Sequence, residues 1–241
     1  MPVRQHSETD GKTHNHFSEF HSVFRKTALF LLVFAALWST ISTSMIGDWV
    51  LAASPEGNES VMSLYSPMDW VGVRWTLILL LSSISVLPIF SILIYRFSRS
   101  GLYGDERRWL ATLLSIFSII APLLTVAIWT WGISAIFSVS EEIGAINGVE
   151  EMYDVSMVVE LSLGMTWVVL IVTLTSLALA FSRFILSSVG EGTRFRIRLM
   201  LMSTGILILT LPVVYDGLRV IIAVSAIIAA DQFSKLMPVR E

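Results

Sequence analysis

The chain has 241 residues, of which 54% are hydrophobic and only 15% charged, with a mean hydropathy of +0.74 and a net charge of −3. A soluble domain carries roughly 25% charged residues and a nucleic-acid module is basic. The composition therefore excludes a soluble enzyme, a disordered chain and a polyanion binder. The absence of cysteine excludes disulfides, thiolate chemistry and cysteine-based zinc sites.

Residues 1–26 are polar and hold all four histidines, His6, His14, His16 and His21. They share no ligand spacing and no acidic cage, so no metal centre is expected. The first apolar run, 27–46, begins late and is long enough to cross a bilayer, which argues for a retained span rather than a cleaved leader. About 20 apolar residues make a span, and the runs 75–95, 109–137 and 155–182 also qualify. The last of these holds one charge, Glu160. Two shorter runs follow, 199–213 and 218–230, with Arg219 opening the second. At 1.5 Å per residue they reach only about 20 to 23 Å. They read either as one bent re-entrant hairpin or as two short spans that thin the bilayer locally. Residues 231–241 form a polar tail.

The scarce basic residues choose between these readings. With the N-terminus in the cytoplasm, every Lys and Arg falls inside except Arg74 and Arg219, both of which abut a helix end where a long side chain can snorkel. Segments 47–73 and 138–154 carry acids but no Lys or Arg. The expected architecture is an all-α integral membrane protein of six transmembrane helices, both termini cytoplasmic, helices five and six short. Trp49, Trp70, Trp75, Trp129 and Trp131 read as interfacial anchors. Ser82, Ser83, Ser85, Thr125, Thr130, Ser162 and Thr166 fit close internal packing better than a groove for a partner helix.

No Ser/His/Asp set, phosphate-binding glycine loop or intramembrane carboxylate pair is present, so no catalysis or cofactor is expected. Glu160 lies about one and a half turns inside the fourth span, and reads as a carboxylate reaching the interface or as a polar contact between helices. The loop from Arg96 to Arg108 joins two glycines, the acids Asp105 and Glu106, and the pair Arg107 and Arg108. Acids favour a helix N-terminus; an acidic pair at a membrane mouth also suits a receptor for guanidinium groups, because carboxylates accept the bidentate fork.

Gly-Leu-Tyr-x-x-Glu-Arg-Arg at residues 101–108, after a second span containing Pro88, resembles the first cytoplasmic loop of TatC, the multispanning core of the twin-arginine protein translocase. His16-Phe17-Ser18-Glu19-Phe20 resembles the family's N-terminal His-x-x-Glu-Leu. Ser66-Pro67-Met68-Asp69-Trp70 resembles its Ser-Pro-x-Glu-x-Phe. Gly205 through Pro212, Asp216 and Asp231 echo the short fifth and sixth spans. Several positions depart from the pattern. His21 stands where the family has Arg, and Ser100-Gly101 replaces Pro-Gly. Leu211-Pro212 reduces the outer Pro-Pro-Asp. The fourth-span Phe-Gly-x-x-Phe-Glu becomes Leu163-Gly164-Met165-Thr166-Trp167-Val168, without the acid at 168. Glu160 lies eight residues earlier, about 80° around the helix.

The resemblance implies a core subunit that recognises twin-arginine signal peptides of folded precursors, with Glu19 and Glu106, supported by His16, Asp105 and Arg107, forming the receptor surface. It implies single-span TatA- and TatB-type partners, contacted near Glu160, Pro88, Pro212 and Asp216, in a homo- or hetero-oligomer. The setting implied is the plasma membrane of a prokaryote. The competing readings are a small-cation channel with an acidic outer vestibule formed by Glu141, Glu142, Glu150, Glu151 and Asp154, and a non-transporting scaffold paralogue.

Overall fold

The computed structural model describes residues 4–53, 62–64, 66–99, 101–136, 138, 153–185 and 189–235; the side chains of 4–20, 53, 62, 153, 184–185 and 189–191 lie outside that description. The described chain is almost wholly helical. The helices are α1 (Arg4–Ala53), α2 (Pro67–Ser98), α3 (Gly104–Ala127), α4 (Val155–Ile185), α5 (Val189–Thr210) and α6 (Arg219–Lys235). Four stretches, His21–Ala52, Pro67–Ser98, Gly104–Ile136 and Val155–Arg183, are long and apolar enough to cross a membrane. Helix α5 is longer than its apolar run because its first turns carry Arg194, Arg196 and Arg198, which helical backbone tolerates readily.

Local chemistry sets the helix starts. Ser66 caps α2, accepting from the Asp69 amide at 3.4 Å, with Pro67 in the first turn, where its missing N–H costs nothing. Ser66-Pro67-Met68-Asp69, one of the stretches that carry the resemblance, is thus a helix-start signal in its own right. Asp154 caps α4, accepting from the Ser156 amide at 3.0 Å and its hydroxyl at 2.7 Å. A short parallel pair, β1 (Met62–Ser63) with β2 (Tyr153–Asp154), ties the segments leading into α2 and α4. No alternating pattern announces so short a pairing.

One core cluster joins α1 to α4 through Ile46, Val73, Leu77, Leu80, Phe117, Val159 and Leu163; another joins α4 to α5 and α6 through Ile171, Leu207, Ala223 and Ile227. The outward faces of α1 and α3 expose Leu32, Val33, Leu37, Ile119, Leu123 and Val126, as lipid-facing helices do. The hydroxyls within the bundle bond back to their own helices: Ser82 to Ile78, Ser85 to Leu81, Thr125 to Ala121, Ser162 to Val158 and Thr166 to Ser162. They satisfy themselves four residues back and let helices pack closely.

Helix α3 passes into a π-helical turn at Ile128–Gly132. Such a turn interrupts the regular ladder, and the Trp129 carbonyl accepts from Trp49 Nε1 at 2.7 Å. Trp129 Nε1 donates in turn to Thr166 at 3.0 Å, and the two indoles lie 4.8 Å apart. Trp75 and Trp131 are exposed, whereas Trp49 and Trp129 clamp α1, α3 and α4 together. Trp49→Phe keeps most of the ring contact and removes the bond. It should cost about 1 kcal/mol, and Trp49→Ala should cost more, as read from thermal unfolding in detergent.

The two arginines assigned to the outer side do not simply snorkel. Arg74 donates to the Ser39 carbonyl at 2.9 Å and to Ser42 at 3.4 Å, fastening α2 to α1. Arg219 pairs with Asp216 at 3.1 Å and donates to the Pro212 carbonyl at 3.3 Å. Where α4 and α6 end beside the first turns of α5, Asp231 pairs with Arg196 and with Lys235 at 2.7 Å. Burial works to raise the Asp231 pKa, but the bonds from Lys235 and Arg196 outweigh it and hold the carboxyl below its ordinary 3.8. A lowered native pKa stabilises the fold fully above the unfolded value and loses that contribution as pH falls through the native one. Acidification below pH 3.8 should therefore lower the melting temperature of the wild type more than that of Asp231→Asn.

Candidate functional site: the α2–α3 loop and the cavity beside the α5–α6 turn

Helix α2 ends at Arg99, whose amide reaches the Tyr95 carbonyl at 2.9 Å, and the chain turns at Gly101, whose amide reaches Ser98 at 3.1 Å. Helix α3 then starts in the order that the loop motif dictates. Tyr103 is extended (φ −69°, ψ 165°), and its amide donates to Glu106 Oε2 at 2.9 Å. That bond folds the carboxylate back over the first turn, satisfies an otherwise orphan donor and places negative charge at the positive end of the helix. Asp105 is exposed beside it. Arg107 Nε donates to the Tyr95 hydroxyl at 3.1 Å, with the guanidinium 5.9 Å from the ring centroid. Arg107 is thereby held on α2 by the same tyrosine. Beneath the loop, α2 and α3 enclose an apolar groove of about 460 Å³ lined by Pro88, Ile92, Tyr95, Leu114 and Ile119, with the Ser118 hydroxyl donating to Ser91 at 2.8 Å. Glu19 and His16 belong to α1, in the stretch whose side chains are outside the described residues.

A second concave region, about 1060 Å³, lies between α2, α4 and the α5–α6 turn, and its lining includes Asp69, Asp154, Glu160, Pro212, Asp216 and Arg219. Two of its four acids are occupied locally: Asp154 caps α4 and Asp216 pairs with Arg219. Val168 faces elsewhere, into the apolar cluster of Leu207 and Ile227, so Glu160 and the site of the missing acid have different surroundings. Glu141, Glu142, Glu150 and Glu151 lie outside the described residues.

The turn that borders this cavity is pinned to α4. Pro212 cannot donate to the α5 ladder, the chain makes a 3₁₀ turn at Val213–Tyr215, and Gly217 takes a positive φ of 85° that side chains disfavour. Tyr215 donates its hydroxyl to the Leu161 carbonyl at 2.7 Å and lays its ring on Gly164. Burial pushes the phenol up to about 12, so it stays a neutral donor at physiological pH.

The family model for the Sec-independent protein translocase protein TatC matches residues 15–211. The chain belongs to the TatC family. The crystal structure described as "Twin Arginine Translocase Receptor- TatC" aligns with a TM-score of 0.61 at 14% identity, covering 92% of this chain and 98% of that one. At that identity the likeness is one of fold. No curated protein sequence matches. As a TatC-family member the chain is a subunit of the twin-arginine protein translocase, a multi-pass membrane protein of a protein-transport family.

Within that frame, the Gly-Leu-Tyr-x-x-Glu-Arg-Arg motif of this TatC-family chain is a helix start whose glutamate holds the loop together. Two features escaped sequence reading. The Tyr95 anchor for Arg107 is twelve residues away. The Tyr215 contact joins residues 54 apart to Leu161, and its sequence trace was Gly164, the glycine of the fourth-span motif.

Proposed function

We propose that this chain recognises twin-arginine signal peptides of folded precursors and nucleates a complex with single-span TatA- and TatB-type subunits. It would work in a prokaryotic plasma membrane, with six spans and both termini cytoplasmic. The observation that carries the reading is Glu106, held by the Tyr103 amide in the loop that joins α2 to α3, the two helices that form the groove. A fixed carboxylate and an apolar furrow on the same helix pair match a ligand that joins guanidinium groups to an adjoining apolar stretch. Glu19 supplies the second carboxylate, with His16 three residues earlier in α1. Asp105 adds negative potential, and Arg107, bonded to Tyr95, borders the site. Pro88 shapes the groove, while Glu160, Pro212 and Asp216 line the cavity offered to a partner helix.

Two charge-assisted contacts of roughly 1.5 to 3 kcal/mol each reward the planar fork of arginine over the point charge of lysine. The test is binding of a labelled signal peptide to the full chain in nanodiscs, with its Arg pair replaced by Lys-Lys in a second peptide. The twin-Lys peptide should bind about tenfold more weakly or worse. Equal affinities would contradict the receptor reading, and no binding of either would support the scaffold paralogue.

A further inference from the structure

Among the described residues, the meeting point of the α4 and α6 ends with the first turns of α5 holds more cations than carboxylates. Among the described residues there, Arg183, Arg196 and Lys235 converge on one carboxylate, Asp231. Arg183 Nη1 donates to the Ser234 carbonyl at 3.2 Å, but its Nη2 stands 3.8 Å from Asp231, beyond hydrogen-bond reach. Three guanidinium nitrogens, Arg183 Nε, Arg183 Nη2 and Arg196 Nε, are buried without a hydrogen-bond partner. Buried donors on a charged group are costly to leave unmet, and one carboxylate cannot satisfy three cations. Among the described residues, the cluster leaves these three donors for a further anion with several acceptor oxygens.

We propose that this junction binds a phosphate-bearing anion, with the guanidinium groups of Arg183 and Arg196 turning to present their unmet N–H groups to its oxygens. Guanidinium forks match phosphate oxygens in geometry and charge. Lys235, half-exposed beside Asp231, adds attraction from the rim. Just beyond the cluster, Ile197, Leu201 and Phe233 are exposed apolar side chains on α5 and α6. A phosphate attached to acyl chains would find both halves of itself matched, which favours a phospholipid headgroup over the free ion.

The test uses the full chain and compares two sources of the same chemistry. The protein in detergent is offered phosphatidylglycerol or phosphatidylcholine, and retained lipid is counted by native mass spectrometry. Inorganic phosphate is then added as competitor, and its own effect on the melting temperature is recorded. Wild-type protein should retain phosphatidylglycerol about tenfold better than Arg183→Gln or Arg196→Gln does. Arg198→Gln, exposed and outside the cluster, should leave retention unchanged. Asp231→Asn, which removes the competing carboxylate, should strengthen retention, whereas a purely structural cluster would weaken it. Retention of phosphatidylglycerol over phosphatidylcholine that inorganic phosphate does not displace establishes a lipid ligand. A rise in melting temperature with inorganic phosphate, lost in Arg183→Gln, establishes the free anion as ligand. Failure of the wild type to prefer phosphatidylglycerol, together with no effect of phosphate on its melting temperature, overturns the proposal without relying on any variant.

Discussion

Gly164→Val is expected to detach the α5–α6 turn from α4 and to lower stability by several kcal/mol. A Cβ at 164 would lie 2.7 Å from the Tyr215 Cζ and 2.9 Å from its hydroxyl oxygen, closer than real Cβ contacts. The ring cannot stay where it is. Moving it withdraws the hydroxyl from the Leu161 carbonyl, and an unmet buried polar group costs about 1 to 3 kcal/mol. Overpacking adds about 1 to 3 kcal/mol of its own. Tyr215→Phe isolates the first cost and should be much milder. The double variant Gly164→Ala with Tyr215→Ala should be more stable than the sum of its parts, because removing the ring removes the clash. A melting temperature unchanged in Gly164→Ala would show that α4 and the turn do not depend on this contact. If Glu160 and Asp216 serve a partner helix, loosening the turn should also weaken capture of a single-span subunit, since the cavity borders both elements.

Glu106→Gln is expected to weaken twin-Arg peptide binding by roughly 10- to 100-fold while leaving the fold almost untouched. Glu106 Oε2 accepts from the Tyr103 amide, a task that an amide oxygen performs as well. Glutamine thus keeps the cap and loses the charge. Glu106→Ala loses both and should cost about 0.5 to 2 kcal/mol of stability in addition. Glu106→Asp keeps the charge on a stem one methylene shorter, which no longer reaches the Tyr103 amide from the same turn, so its charge is retained but its position is not. If Gln binds as well as Glu while Ala binds poorly, the residue acts through loop shape alone and the charge-recognition account fails.

The class of fold was legible in run length, because burying backbone in lipid leaves a long helix as the economical solution. The ends of elements were less legible. The fifth apolar run suggested 199–213, yet α5 occupies Val189–Thr210. Its early arginines are compatible with helix, and Pro212 pushes the residue before it out of helical backbone. The loop motif was readable both as chemistry and as a cap, and the geometry shows one residue, Glu106, performing the cap. Contacts between distant residues left no periodic trace. Trp49 with Trp129, and Tyr215 with Gly164, depend on a π turn and on a missing side chain, neither of which a hydropathy pattern encodes. For the same reason, Trp49 and Trp129 resembled their exposed neighbours Trp75 and Trp131.

The receptor claim is tested most directly by site-specific crosslinking. A photoreactive residue replaces Asp105, exposed beside Glu106, and matched twin-Arg and twin-Lys precursors are presented to the full chain in membranes. The account predicts strong labelling of the twin-Arg precursor, little of the twin-Lys one, and loss of the difference when Glu106 is changed to Gln. Equal labelling of both precursors by the protein with Glu106 intact would contradict it.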